Sequence, residues 1–176
     1  MIESLKTLGV SEAATFPVKN IAFNDFFRQM CADNLCGRYG KNHMCPPGIG
    51  EPAALREKAL SYNDVILIQT IYPLEDSYDF EGMADGNAKH TENIKKVKVY
   101  IQQNVPHTDM LILGAGGCSI CGKCAIVENE PCRHPDDAIS SVEGYCMDVA
   151  KMTEEHGLHY INGKDTVSYV AVFLLK

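Results

Sequence analysis

Four cysteines fall within fifteen residues, at Cys118, Cys121, Cys124 and Cys132, in the pattern C-x2-C-x2-C-x7-C. Thiolate is a soft ligand and suits iron–sulfur clusters and zinc. A cubane cluster has four irons, each wanting one protein thiolate, and C-x2-C-x2-C also opens bacterial ferredoxin motifs. Three close thiols can fan around three corners, with the fourth supplied from farther along. Ser119, Gly122 and Ala125 are small enough for a wrapping loop, and Pro131 and Pro135 stiffen its exit. Zinc is the main rival, but structural zinc sites take two separated pairs, and a third cysteine directly after the first pair fits one tetrahedral ion less well. A thioredoxin-like C-x-x-C pair also leaves that third thiol unexplained. Four free thiols rarely gather at this spacing. Arg133 and His134 lie beside Cys132 and either raise a cluster potential or serve as ordinary surface polarity.

The chain holds eight cysteines in 176 residues. Glu3 sits early with no apolar run behind it, which argues against a secretory signal. No window supplies the roughly twenty apolar residues of a membrane span. A cytoplasmic location is therefore expected, where thiols stay reduced and disulfides are rare. The net charge of −7 argues against a broad nucleic-acid footprint. The run Lys95-Lys96-Val97-Lys98 reads as a solvated helix face.

Cys31, Cys36 and Cys45 form a looser set, C-x4-C-x8-C, ending in Pro46-Pro47. A cysteine followed by proline also closes many ferredoxin motifs. Three cysteines are one short of a cubane, so His43, Cys146 or an outside molecule would complete it. Alternatively, this stretch folds over the first cluster and shields it. Cys31 has a second reading, as a small hydrophobe at a helix end. Cys146 shares an apolar stripe and reads as a core thiol. His90, His107, His156 and His159 show no ligand spacing with the cysteines and read as surface or satisfied polar residues. Gly114–Gly117 (GAGG) follows a strand, but a cysteine loop and not a helix comes next, so a phosphate site fails its context.

Hydrophobic patterning predicts strands over residues 15–23, 65–71, 110–113 and 166–175, and helices over 25–32, 51–62, 87–104 and 138–156. Residues 73–87 read as a polar loop. Residues 1–176 form one domain without repeat or linker. Alternating strands and helices predict an α/β or α+β single-domain sandwich, a central sheet flanked by helices with an inserted cysteine-rich loop. The strand order is not readable from the pattern.

In combination, Asn34–Gly40 (NLCGRYG), Met44–Pro47 (MCPP), Gly117–Cys124 (GCSICGKC) and Pro131–Pro135 (PCRHP) resemble domain-of-unknown-function family 2284. Its members are described as predicted metal-binding proteins, mostly from anaerobic bacteria and archaea. The resemblance spans nearly the whole chain and implies a cytoplasmic location and bound metal, without an established activity. The positions it carries over are Cys36, Cys45, Cys118, Cys121, Cys124 and Cys132. The segment SSVEGYCMDV also resembles the family pattern, in which the position of Cys146 is usually glycine, a departure that supports reading Cys146 as a non-ligand. The expectation is a small iron–sulfur protein for electron transfer or redox sensing, with one [4Fe–4S] cluster or two and a redox partner protein. Two alternatives stand beside it. One is an enzyme whose cluster serves a bound corrinoid or flavin; the other is a zinc-stabilised interaction domain. No Ser-His-Asp set, carboxylate pair or nucleotide fingerprint is present. Oligomeric state is not legible.

Overall fold

The computed structural model describes residues 1–176. Five strands, β1 (Glu12–Pro17), β2 (Asp64–Pro73), β3 (Met110–Gly114), β4 (Ser140–Ser141) and β5 (Thr166–Leu175), form one sheet in the order β1-β2-β5-β3-β4. β2 and β5 are the long central pair, antiparallel, with Ile66 opposite Phe173 and Leu67 opposite Val172. β1 and β3 add antiparallel on either side, and the two-residue β4 adds parallel to β3.

Successive strand residues point to opposite faces, and both faces here are covered. Val65, Leu67, Val170 and Val172 turn toward Leu55 and Ala59 of α3 (Pro52–Leu60) and Val149 and Met152 of α5 (Val149–Glu155). Ile66, Ile68, Ala171 and Phe173 turn toward Leu5 of α1 (Ile2–Lys6) and Ile94, Val97 and Ile101 of α4 (Phe80–Asn104). This double coverage is why VILIQTI and VAVFLL are continuous apolar runs rather than alternating ones. Full burial of each such side chain contributes roughly 1.5–3 kcal/mol. The architecture is a mixed α/β single domain, as the pattern predicts.

Three boundaries differ from expectation. The first strand stops at Pro17 and continues as a 3-10 turn over Val18–Asn20. Helix α4 begins seven residues early, at Phe80, because Asp79 caps it: its carboxylate accepts from Gly82 N at 2.8 Å and from Glu75 N at 3.1 Å. Those backbone donors hold the Asp79 carboxyl below its usual range. The largest correction concerns residues 138–156, which are not one helix. Ser140–Ser141 join β3, Glu143–Tyr145 form a 3-10 turn, Cys146 is left-handed at φ 59°, and only Val149–Glu155 is helical. Val142, Cys146 and Val149 are all buried, so the apolar stripe is real. It is buried by pairing with the β3 edge and by a Phe23–Met147 bridge, not by helical winding.

Candidate metal centre

β3 ends at Gly114, and the chain then leaves the sheet as an irregular loop carrying Cys118, Cys121 and Cys124. A 3-10 turn over Ala125–Glu128, closed by left-handed Asn129, reverses direction and returns the chain to Cys132. Between Ala115 and Ile139 only Ala125 is buried, so apolar burial does little to order this loop. Polar clasps do more. Glu128 bonds Lys123 at 3.1 Å and Arg133 at 2.6 Å, and Arg133 Nη1 donates to Lys123 O at 3.1 Å. Lys123, followed by Arg133, holds the Glu128 carboxyl below its usual range. Arg133 is thus spent on Glu128, which leaves it less free to set a cluster potential.

The four thiols Cys118, Cys121, Cys124 and Cys132 line one small cavity, together with Asn42, Met44, Ile120 and His134. They ring that space without meeting at a point, and no three His, Cys, Asp or Glu side chains are arranged around a single ion. The roof comes from the first cysteine stretch. Arg38 Nη1 and Asn42 Nδ2 donate to Cys118 O at 3.1 and 2.7 Å, His43 N donates to Cys124 Sγ at 3.4 Å, and His43 Nε2 lies 2.9 Å from Glu130 O. An N–H aimed at a thiol sulfur is the kind of donor that stabilises a ligating thiolate. The donor set, soft sulfur with backbone N–H support, fits an iron–sulfur cluster.

The sequence reading did not single out Arg38 or Asn42. Both sit in the irregular run after Cys36, and nothing local in that run marks them as partners of a carbonyl eighty and seventy-six positions away. Gly117 makes the close approach possible. A Cβ there would stand 2.8 Å from Arg38 Cδ and 2.9 Å from Cys45 Sγ. That glycine admits the roof rather than a phosphate.

Cys31 lies on α2 (Phe26–Ala32), Cys36 is exposed in the turn after it, and Cys45 is half-buried against Gly117. Burial, then the nearby Cys36, pushes the Cys45 thiol up to about 11, and burial also raises Cys31. His43 contacts the first cavity. Cys146 is 1 % exposed, as a core thiol should be, but it sits on a turn beside α2, and Cys31 feels its charge. His90 departs from its reading as a surface or satisfied residue. It is fully buried on α4, shares a 2.8 Å hydrogen bond with Thr70 through Nδ1, and leaves Nε2 without a partner.

A groove of about 1280 Å³ runs from this cavity along β3, floored by Gly114–Gly117 and walled by Lys95, Lys98 and Gln102 of α4. Cys118 and Cys132 line both spaces. The volume exceeds the roughly 300–1,000 Å³ of ordinary small-ligand pockets.

Among solved structures, the chain is similar to epoxyqueuosine reductase from Bacillus subtilis, at 10 % identity and a TM-score of 0.41, over 99 % of this chain and 44 % of that one. It is similarly placed against an epoxyqueuosine reductase bound to a tRNA-Tyr epoxyqueuosine-modified stem loop, at 11 % identity, a TM-score of 0.41, and 98 % and 44 % coverage. The chain thus spans less than half the length of those proteins, and at that score the likeness carries no functional argument. No curated protein matches the chain. The family profile does, from residue 14 to residue 175, across the sheet and both cysteine stretches, and the chain belongs to domain-of-unknown-function family 2284 (DUF2284), described as predicted metal-binding protein.

Proposed function

We propose that the protein is a cytoplasmic iron–sulfur protein for electron transfer or redox sensing, with a [4Fe–4S] cluster held by Cys118, Cys121, Cys124 and Cys132. The observation that carries this reading is the ring of four thiols around one cavity, roofed by residues 38–43. The cysteine spacing favours a cluster over zinc, since a third cysteine directly after the first pair suits one tetrahedral ion less well. No helix is long and apolar enough to cross a membrane. The cluster would supply one-electron chemistry. The chain's own residues hold it, donate N–H groups to its sulfurs and limit water on the side covered by Asn42 and His43. A redox partner protein would exchange the electron at the exposed face of the loop.

Anaerobic purification with iron, sulfide and zinc analysis, and EPR of the reduced protein, tests the reading. Iron and sulfide in near-equal amounts, both lowered in Cys121→Ala, are expected. Stoichiometric zinc without iron or sulfide would overturn it and leave the zinc-stabilised interaction domain.

One observation favours a second reading, an enzyme. The groove along β3 shares Cys118 and Cys132 with the cluster cavity, so a corrinoid or flavin lying in it would abut the cluster. Lys95 and Lys98 would meet its anionic groups. Retention of a coloured organic cofactor through purification, lost on Lys95→Glu with Lys98→Glu, is the expected sign; iron as the sole chromophore in protein loaded with either cofactor would reject it.

A further inference from the structure

The first cysteine stretch is more than a roof. Three segments meet on its outer side: helix α2 with Cys31, the turns carrying Cys36 and Cys45, and the 143–148 turn with Cys146. The backbone fixes their meeting. Asn24 N donates to Cys146 O at 2.7 Å, Asp148 N donates to Ala22 O at 2.8 Å, and Phe23 bridges Met147. Helix α2 therefore starts against the Cys146 turn, and Cys31 lies one and a half turns along it. Arg28, three residues before Cys31 and so on the same helix face, ties the third segment in by donating through Nη2 to Gly50 O.

Two features of this junction stand out. Arg28 Nη1 is buried with no hydrogen-bond partner. A guanidinium nitrogen out of water without an acceptor is costly, and a negative group beside it would remove that cost. Cys146 is the second feature. A non-glycine residue at φ 59° is uncommon and strained. The Cys146 thiol lies near Cys31 and Arg28.

We propose that Cys31, Cys36, Cys45 and Cys146 ligate a second [4Fe–4S] cluster, with the Arg28 guanidinium, whose Nη1 is buried and unpaired, as its counter-charge. The set deepens the cluster reading above but does not depend on the first cluster being present. Cys146 becomes the fourth ligand that the C-x4-C-x8-C stretch lacks. In loading from a preformed [4Fe–4S] thiolate complex, each protein S–H is exchanged for an S–Fe bond. The incoming complex loses one terminal thiolate per exchange, which leaves as thiol with that proton, so no net oxidation is needed. Cys31 and Cys45 also feel one another, and Cys45 feels Cys118 across Gly117. The two clusters would then stand side by side with Cys45 at the boundary, and the chain would be a two-cluster relay.

The test is anaerobic loading of the full chain with a synthetic [4Fe–4S] thiolate complex, read by iron and sulfide content and by EPR after reduction. The wild type should bind about eight irons, four for each cubane, and show the broadened signal of two interacting clusters. Cys146→Ala and Cys36→Ala should each halve the iron and leave the narrow signal of an isolated cluster. Cys36 is exposed, so its variant keeps the core intact even where Cys146→Ala fails to fold. Cys121→Ala should halve the iron independently, and Cys121→Ala with Cys36→Ala should abolish it. Full iron and an unchanged spectrum in Cys36→Ala would overturn the second site. Full iron in a folded Cys146→Ala chain would overturn Cys146 as a ligand. Arg28→Gln should keep the iron but lower one reduction potential, with Arg28→Lys partly restoring it; an unmoved potential would overturn the counter-charge role.

Discussion

The sheet and the cysteine lobe obtain their order by different means. Along β2, Val65 to Thr70 are six consecutive buried residues. From Ala22 to Gly50 only Asn42 and Pro46 are buried, and from Ala115 to Ile139 only Ala125. The sheet is held by apolar area on two faces, which needs nothing but the chain. The lobe is held by side chain–backbone bonds such as Asn42 to Cys118 O, by the Lys123–Glu128–Arg133 clasp and, on the reading above, by metal–thiolate bonds. Exposed ion pairs contribute little, of order 0–1 kcal/mol, so the clasp alone is a weak fastening. On that reading the same chain combines a self-sufficient scaffold with a lobe whose rigidity would be borrowed from its ligand, because metal-binding free energy appears as folding free energy.

The comparison breaks most visibly when metal is removed. Chelation, or Cys121→Ala, should open residues 114–136 to protease and to rapid amide exchange while β2 and β5 stay protected. An apo-protein with the same digestion pattern and melting temperature as the loaded one would contradict the borrowed-rigidity view. The converse perturbation strikes the sheet. Phe173→Ala removes a fully buried ring from the α4 face and should cost about 3–5 kcal/mol by chemical denaturation, lowering stability equally with and without metal.

His90 probes the scaffold by pH. Burial holds its imidazole down at about 4 in the folded chain, against about 6.5 unfolded. The unfolded chain thus takes up a proton as pH falls through about 6.5, while the folded chain does not until about 4. The stability attached to neutral His90 is fully present above about 6.5 and is lost on acidification toward about 4. The difference, about 2.5 pH units, corresponds to about 3 kcal/mol. His90→Gln should flatten the wild-type slope in that window, and equal slopes for the two chains would rule His90 out as its source. The smallest effect belongs to the seam between the regions. Asn42→Ala removes the donor to Cys118 O and should cost about 1–2 kcal/mol. Its signature should be faster loss of iron from the Cys118–Cys132 loop, with global unfolding little changed.

How far each region was legible in the sequence follows from the same physics. β5 was read to the residue because its apolar run ends where burial ends. Residues 138–156 were misread because the spacing of Ile139, Val142, Cys146 and Val149 matches helical periodicity, yet the backbone there pairs with β3 and with Phe23, partners that lie far away in the chain. Polarity hid the first turns of α4: Phe80 is exposed, and the start signals are two acidic residues, the capping Asp79 and Glu81 in the first turn. His90 looked like any helix histidine until Thr70 was placed beside it.

The sequence by itself determined the two-faced sheet core, since unbroken apolar runs have no other way to leave water, and it determined the chemistry of the lobe, since four thiols at C-x2-C-x2-C-x7-C spacing ask for a soft metal. Tertiary structure alone decided which thiols share a space. It set Cys118, Cys121, Cys124 and Cys132 around one cavity, laid Asn42 and His43 over them, and brought Cys146 from the far side of the chain to Cys31 and the unpaired Nη1 of Arg28. The physical reason is that ligand geometry is made by loops whose course depends on long-range hydrogen bonds and close approaches such as that at Gly117, and these leave no periodic trace in the chain.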